Sequence, residues 1–197
     1  MKIDFDNTET VIKVRETLLK VGISVNDIWD LVNTKESYPE AIPVLTNLLR
    51  TEILDDRSKE GIVRALAVKE AKGKIGKVLI DEFHKTPKEK KATLGWAIGN
   101  TFEVIVTRDD LEGVLEIVKN KENGMAREMF VLALGKIKCE QSEDVLIDLL
   151  DDDGVVRHAL SALGKLKSLK AKGKISQLLY HPSSVVRKKA QAILNKL

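Results

Sequence analysis

Cysteine, proline and aromatic residues are all scarce in this chain, and each scarcity removes a class of structure. A single cysteine, Cys139, cannot build an intramolecular disulfide framework and fits a reducing compartment. It reads as an ordinary turn or buried thiol rather than a nucleophile. Aromatic content of 4% leaves Leu, Val, Ile and Ala to make the core, which suits thin helix-on-helix layers better than a wide sheet sandwich. Only four prolines interrupt the chain, so long stretches are free to be helical. No stretch reaches the roughly 18 consecutive apolar residues of a membrane-spanning helix, and the opening MKIDFDNTET has no apolar core of a secretory signal. The expectation is a soluble cytoplasmic protein.

An excess of one charge is missing too. Lys plus Arg number 33 against 30 Asp plus Glu, a formal net charge of +3, which by itself points to neither a nucleic-acid nor a membrane partner. No His or Cys pair has metal-ligand spacing, no phosphate-cradling glycine loop follows a strand, and no serine sits in a nucleophile elbow. His84, His158 and His181 are scattered over different segments. No catalytic residue, metal ligand or cofactor-binding residue is assigned, no cofactor is expected, and the chain reads as a non-enzyme.

What the chain has is helical periodicity in repeating pairs. From Ser142 to Leu166, Val145, Leu146, Leu149 and Leu150 share one helical face, Ser142 is placed as N-cap, and Asp151 to Gly154 form a stop. Val156, Ala159, Leu160, Leu163 and Leu166 then recur at steps of three and four, the mark of a second helix with one buried stripe. Such a hairpin cannot bury its own apolar faces and must be stacked between copies of itself.

The copies are visible on both sides. AIGN at 97–100, ALGK at 133–136 and ALGK at 162–165 hold the same place in successive second helices, and AKGKI at 71–75 is echoed at 171–175. Glycine inside a helix costs about 1 kcal/mol relative to alanine, so Gly99, Gly135 and Gly164 are expected where helices approach closely. The first repeat begins near Tyr38, with Pro39 and Pro43 confined to its opening turns and Ser58 capping its second helix. In the second repeat Thr86-Pro87-Lys88-Glu89 carries the strongest helix-start signal, and the strand-like run 101–107 is expected to be a long inter-repeat connection. The third repeat pairs 109–119 with 125–138, and the fifth runs from 174 to 197 with Ser183 and Ser184 as caps. Residues 1–7 are taken as an irregular lead-in. Helices over 10–21, ended by Gly22, and over 24–32, capped by Ser24 with Asp27, make an N-terminal helical cap over 1–37, ahead of one continuous repeat array over 38–197.

Asp152-Asp153-Gly154-Val155-Val156-Arg157, followed by Ala159 to Leu166, resembles the HEAT-like repeat of bacterial solenoids, of the kind also found in phycobilisome lyases; Val185-Val186-Arg187 matches its second-helix opening again. Tyr38 to Pro43 with Glu60 to Ala67 looks like a bacterial HEAT-repeat family whose members generally have no assigned activity. The resemblance implies an all-α fold, a right-handed α-α superhelix (HEAT-like solenoid) of about five helical hairpins plus the N-terminal cap, with second helices lining a concave face. It is specific for fold and weak for function.

Charge is partitioned between the two kinds of helix. The second-helix stretches 88–100, 124–138, 155–167 and 184–197 sum to +11, whereas first-helix stretches 39–56, 109–119 and 142–153 carry −3, −3 and −6. Asp152 or Asp153 pairing with Arg157 or Arg187 along the stack would absorb those arginines. Lys136, Lys165 and Lys188 are read either as a solvated helix face or as contacts to an acidic partner. Trp96 falls off the buried stripe, as an exposed anchor or under a neighbouring repeat, while Trp29 and Phe130 fall in the core. The reading is therefore a protein-binding scaffold that meets an acidic protein partner through Arg64, Trp96, Leu132, Lys136, Arg157, Lys165 and Lys188. Nucleic-acid binding is the alternative, because alkylpurine DNA glycosylases are also HEAT-like solenoids. Bilin attachment, as in phycobilisome lyases, is a third possibility resting on repeat similarity alone. No membrane partner is expected.

Overall fold

The computed structural model describes residues 9–197, so the expected lead-in at 1–7 lies outside it. Twelve α-helices and no strand occur among the described residues: α1 (Glu9–Leu19), α2 (Trp29–Asn33), α3 (Ala41–Thr51), α4 (Asp56–Ala65), α5 (Gly76–Lys85), α6 (Trp96–Ile105), α7 (Leu111–Lys119), α8 (Arg127–Leu134), α9 (Glu140–Asp148), α10 (Val156–Leu166), α11 (Lys172–Gln177) and α12 (Ser184–Leu194). They form two layers. α1, α3, α5, α7 and α9 follow one another in the first, α2, α4, α6, α8, α10 and α12 in the second, and α11 packs on α12. This all-helical two-layer stack is a HEAT-like solenoid.

One core runs the length of the stack, from Val14 to Ile193. Its few large rings meet at the centre, where Phe130 lies 4.9 Å from Phe83 and 5.2 Å from Phe102, ring centre to ring centre. Phe130 is fully buried, and Trp29 packs on the core from its edge. Elsewhere the core is aliphatic, as the shortage of aromatics requires.

The helix-interior glycines sit where second helices touch. A Cβ built on Gly99 would lie 2.8 Å from Met129 Cβ, one on Gly135 2.6 Å from Ala162 Cβ, and one on Gly164 3.1 Å from Ile193 Cγ1. Each glycine faces the next second helix along the stack. The two AKGKI copies also match in burial, since Ala71, Ile75, Ala171 and Ile175 are all core residues. Their backbones differ, however: Gly73 takes a left-handed φ of 71°, whereas Gly173 lies inside α11.

Helix starts depart from the sequence reading at several points. Asp55, not Ser58, caps α4, accepting the Ser58 N–H at 2.9 Å. Thr86 caps nothing. Its hydroxyl donates back to the Glu82 carbonyl at 2.8 Å, and the chain passes through a 3-10 turn at Lys88–Lys90 and a π turn at Lys91–Gly95 before α6 begins. The run read as a connection continues that helix to Ile105, because Phe102 and Ile105 both reach the core. Cys139 holds the N-cap position of α9, and Ser142 lies buried beneath it, donating to the Ile137 and Cys139 carbonyls. Ser183 stands at the start of α12 without a capping hydrogen bond, and α2 has no side-chain cap; Asp30 instead takes the Asn26 N–H at 2.7 Å. Gly22 does end α1, with φ 80° and the Ile23 N–H returning to the Leu18 carbonyl.

Two glycines separate the packing role from intrinsic propensity. Gly135→Val should destabilise by about 2 kcal/mol or more, since its side chain must enter space held by Ala162. Gly173→Ala, with nothing within 4 Å of the new methyl, should stabilise by about 0.5–1 kcal/mol. Urea unfolding of both variants checks the pair.

Candidate functional site

The outward ridge of the second-helix layer carries every candidate contact residue. Helical spacing puts Arg64 on α4, Trp96 and Glu103 on α6, Leu132 on α8, Arg157, Ser161 and Lys165 on α10, and Lys188 on α12, with Lys136 just past the end of α8. Lys136, Arg157, Lys165 and Lys188 are exposed; Arg64, Trp96 and Leu132 are half-buried. The Trp96 side chain makes no hydrogen bond or ring contact among the described residues and lies outside the core cluster. Gly99 rests on Met129, so one turn earlier Trp96 stands beside the start of α8, where Met125 is 65% exposed.

Several of these cations already have partners. Arg64 pairs with Glu60 one turn before it at 2.7 Å. Lys165 reaches Glu103 Oε1 at 3.2 Å, and Lys136 lies 3.7 Å from the same oxygen and also donates to the Glu103 carbonyl. Glu103 therefore ties α6 to both α8 and α10. Packed helices are about 8–10 Å apart, so α6 and α10 would stand roughly 16–20 Å apart in a flat layer with α8 between them. The long Lys165 and Glu103 side chains span that distance across α8. Glu103 escaped the sequence reading because its segment was taken for a connection.

Positive charge is concentrated towards the C-terminal end of this face. The lysines credited to the second helix of the second repeat lie before α6 and are engaged elsewhere: Lys88 with Glu122 at 2.9 Å, Lys90 with Asp56 at 2.7 Å, and Lys91 over the Phe83 ring at 3.9 Å. Burial lowers the Lys91 pKa. The only charge within α6 is Glu103. By contrast, α10 carries Arg157 and Lys165, and α12 carries Arg187, Lys188 and Lys189, with no acid in either helix.

The expected pairing of Asp152 or Asp153 with Arg157 or Arg187 is not what forms. Asp152 bonds to Arg127 at 3.0 Å, and Asp153 to His181, also at 3.0 Å. Arg187 donates to the His181 and Pro182 carbonyls, while Arg157 has no ion-pair partner among the described residues. Arg127 is buried and also donates to the Val118 carbonyl at 3.0 Å, clamping the end of α7. Burial works against the ionised form of Asp152. The Arg127 bond and charge, the Gly154 N–H and the charge of Lys121 together outweigh it and hold the carboxyl below its ordinary range. Aligning the ALGK motifs sets Arg127 opposite the buried Val156, so apolar periodicity gave no warning of a charge there.

His158 of α10 lies 3.7 Å from Glu128 of α8, and both are partly buried. Burial lowers the His158 pKa, Glu128 pulls it up, and Arg157 and Lys189 push it further down. No group of three or more His, Cys, Asp or Glu residues among those described is placed to hold a metal ion. No helix among the described residues is long and apolar enough to cross a membrane.

Residues 111–195 match the family model for HEAT repeats. That segment is HEAT-like. The matched residues open at α7 and close just after α12, so they span three successive hairpins, including the whole acid-free part of the face. Searches of curated proteins and of solved structures returned no match.

Truncating Asp152 to alanine should cost about 3 kcal/mol, because it strands a buried guanidinium. Chemical denaturation of the Asp152→Ala variant against the parent chain measures this directly.

Proposed function

We propose that this chain is a non-catalytic scaffold or adaptor that binds another protein, one with an acidic surface, through the open face of its second helices. HEAT repeats commonly serve as interaction scaffolds. The observation that carries the reading is that α10 and α12 present arginine and lysine to solvent with no acid of their own. Electrostatic complementarity of this kind steers encounter and fixes orientation.

The seven contact residues divide by what each can offer. Arg157 and Lys188 supply unpaired charge, and Trp96 with Leu132 supplies apolar contact on α6 and α8. Arg64, Lys136 and Lys165 engage a partner by exchanging Glu60 and Glu103 for its carboxylates. The lone cysteine accords with a cytoplasmic setting.

Affinity capture from the native cell, after nuclease treatment, tests the reading. The parent chain should retain an acidic protein, and Trp96→Ala or Lys165→Glu should reduce its recovery at least ~10-fold, as expected for loss of a hot spot. Recovery that is unchanged in both variants, or capture only of nucleic acid with a steep salt dependence, would overturn it.

A further inference from the structure

The cations of the second-helix face are unequally matched by acids. Lys136 and Lys165 share Glu103, whereas Arg157, Lys188 and Lys189 have no ion pair among the described residues. Lys189 is the unusual member, being half-buried without a carboxylate.

The helix contacts bring three of these groups to one place. α12 lies against α10 with Gly164 on Ile193, and stacked hairpins run their second helices in the same direction. One turn back from that contact, Lys189 stands beside Ser161. On α10 itself, Arg157 and Lys165 lie one turn before and one turn after Ser161. Ser161 has a short side chain whose hydroxyl is turned to the Arg157 carbonyl at 3.0 Å. Acids stand only at the margins: Glu103 beside Lys165, and Glu128 beside His158. Burial, and then the charges of Arg157 and Lys165, hold the Lys189 ammonium below the usual lysine range.

We propose that Arg157, Lys165 and Lys189 form an anion-binding site over Ser161 that anchors a carboxylate-bearing segment of an acidic protein partner. This rests on the second-helix face being the partner surface and names the point of anchorage. Carboxylate fits better than phosphate for two reasons. A carboxylate from another helix, Glu103, already settles on Lys165. The backbone N–H groups that cradle phosphate at glycine loops and helix starts are absent, since Ser161 and Lys189 lie inside helices with their N–H groups in the ladder.

The test uses the full chain and a fluorescein-labelled octaglutamate peptide, followed by anisotropy at low ionic strength. The peptide should bind, weaken as salt rises, and lose at least ~10-fold in affinity to an Arg157→Gln/Lys189→Gln double variant. Neither residue has a bond whose loss would unfold the chain. Lys119→Gln, an exposed site on α7 in the other layer, should leave binding unchanged. The pKa of the Lys189 ammonium, followed by NMR, should rise when the peptide saturates the site, against the charges of Arg157 and Lys165 and beside the titratable His158 and the Glu128 carboxylate. A shift of this kind is not expected if Lys189 is only structural. Equal binding by the double variant, absence of peptide binding, or binding of a single-stranded oligonucleotide in place of the peptide would each overturn the proposal. Binding lost in Lys136→Gln but retained in the double variant would also remove this anchor, while leaving the second-helix face as the partner surface.

Discussion

Close approach of the second helices is the constraint from which the rest of the molecule follows. Gly99, Gly135 and Gly164 leave no side chain between α6 and α8, α8 and α10, or α10 and α12. The first layer buries larger groups, among them Leu79, Val114 and Leu146, and approaches as closely where Gly113 of α7 meets Ile80 of α5. Over the closely packed second helices Lys165 reaches across α8 to Glu103, joining helices that are not neighbours in the layer.

Close approach of the second helices decides which charges can meet. Across the middle of the face it folds Lys136 and Lys165 onto one glutamate, so that part is internally compensated. Beyond α10 no acid follows, and Arg157, Lys188 and Lys189 are left to face solvent or a partner. On the turn side, acids and bases are matched from hairpin to hairpin instead: Asp152 with Arg127, Asp153 with His181, Asp151 with Lys174, and Asp56 with Lys90. Exposed pairs of this sort contribute little each. The buried Arg127–Asp152 pair differs, because neither group can be removed alone without stranding the other.

Helical periodicity and the ALGK echoes made the stack, its two layers and the glycine contacts legible in the chain, because burial on one stripe leaves a direct trace at steps of three and four. Caps were much less legible. Asp55 and Ser58, or Cys139 and Ser142, differ by three residues, and either member of each pair can meet an N–H at a helix start; only the surrounding packing selects one. The Thr101–Thr107 run shows a stronger failure. Its β-branched and aromatic residues favour a strand locally, and core burial of Phe102 and Ile105 overrides that preference. Misplacing that run hid Glu103, and with it the partner of two candidate lysines. Arg127 was hidden differently, as a charge occupying an apolar register position. Counting charge by segment placed Lys88, Lys90 and Lys91 on the wrong surface, since sequence spacing across a π turn does not preserve which way a side chain points.

Zero-length carbodiimide coupling joins only carboxylates and amines already in contact, and so reads the approach of the second helices without a probe. The account predicts a cross-linked peptide uniting Glu103 with Lys165 across α8, formed alongside the reference link between Asp144 and Lys170. Formation of the reference link with Glu103 never joined to Lys165 would contradict the closely packed second-helix face on which the whole account stands.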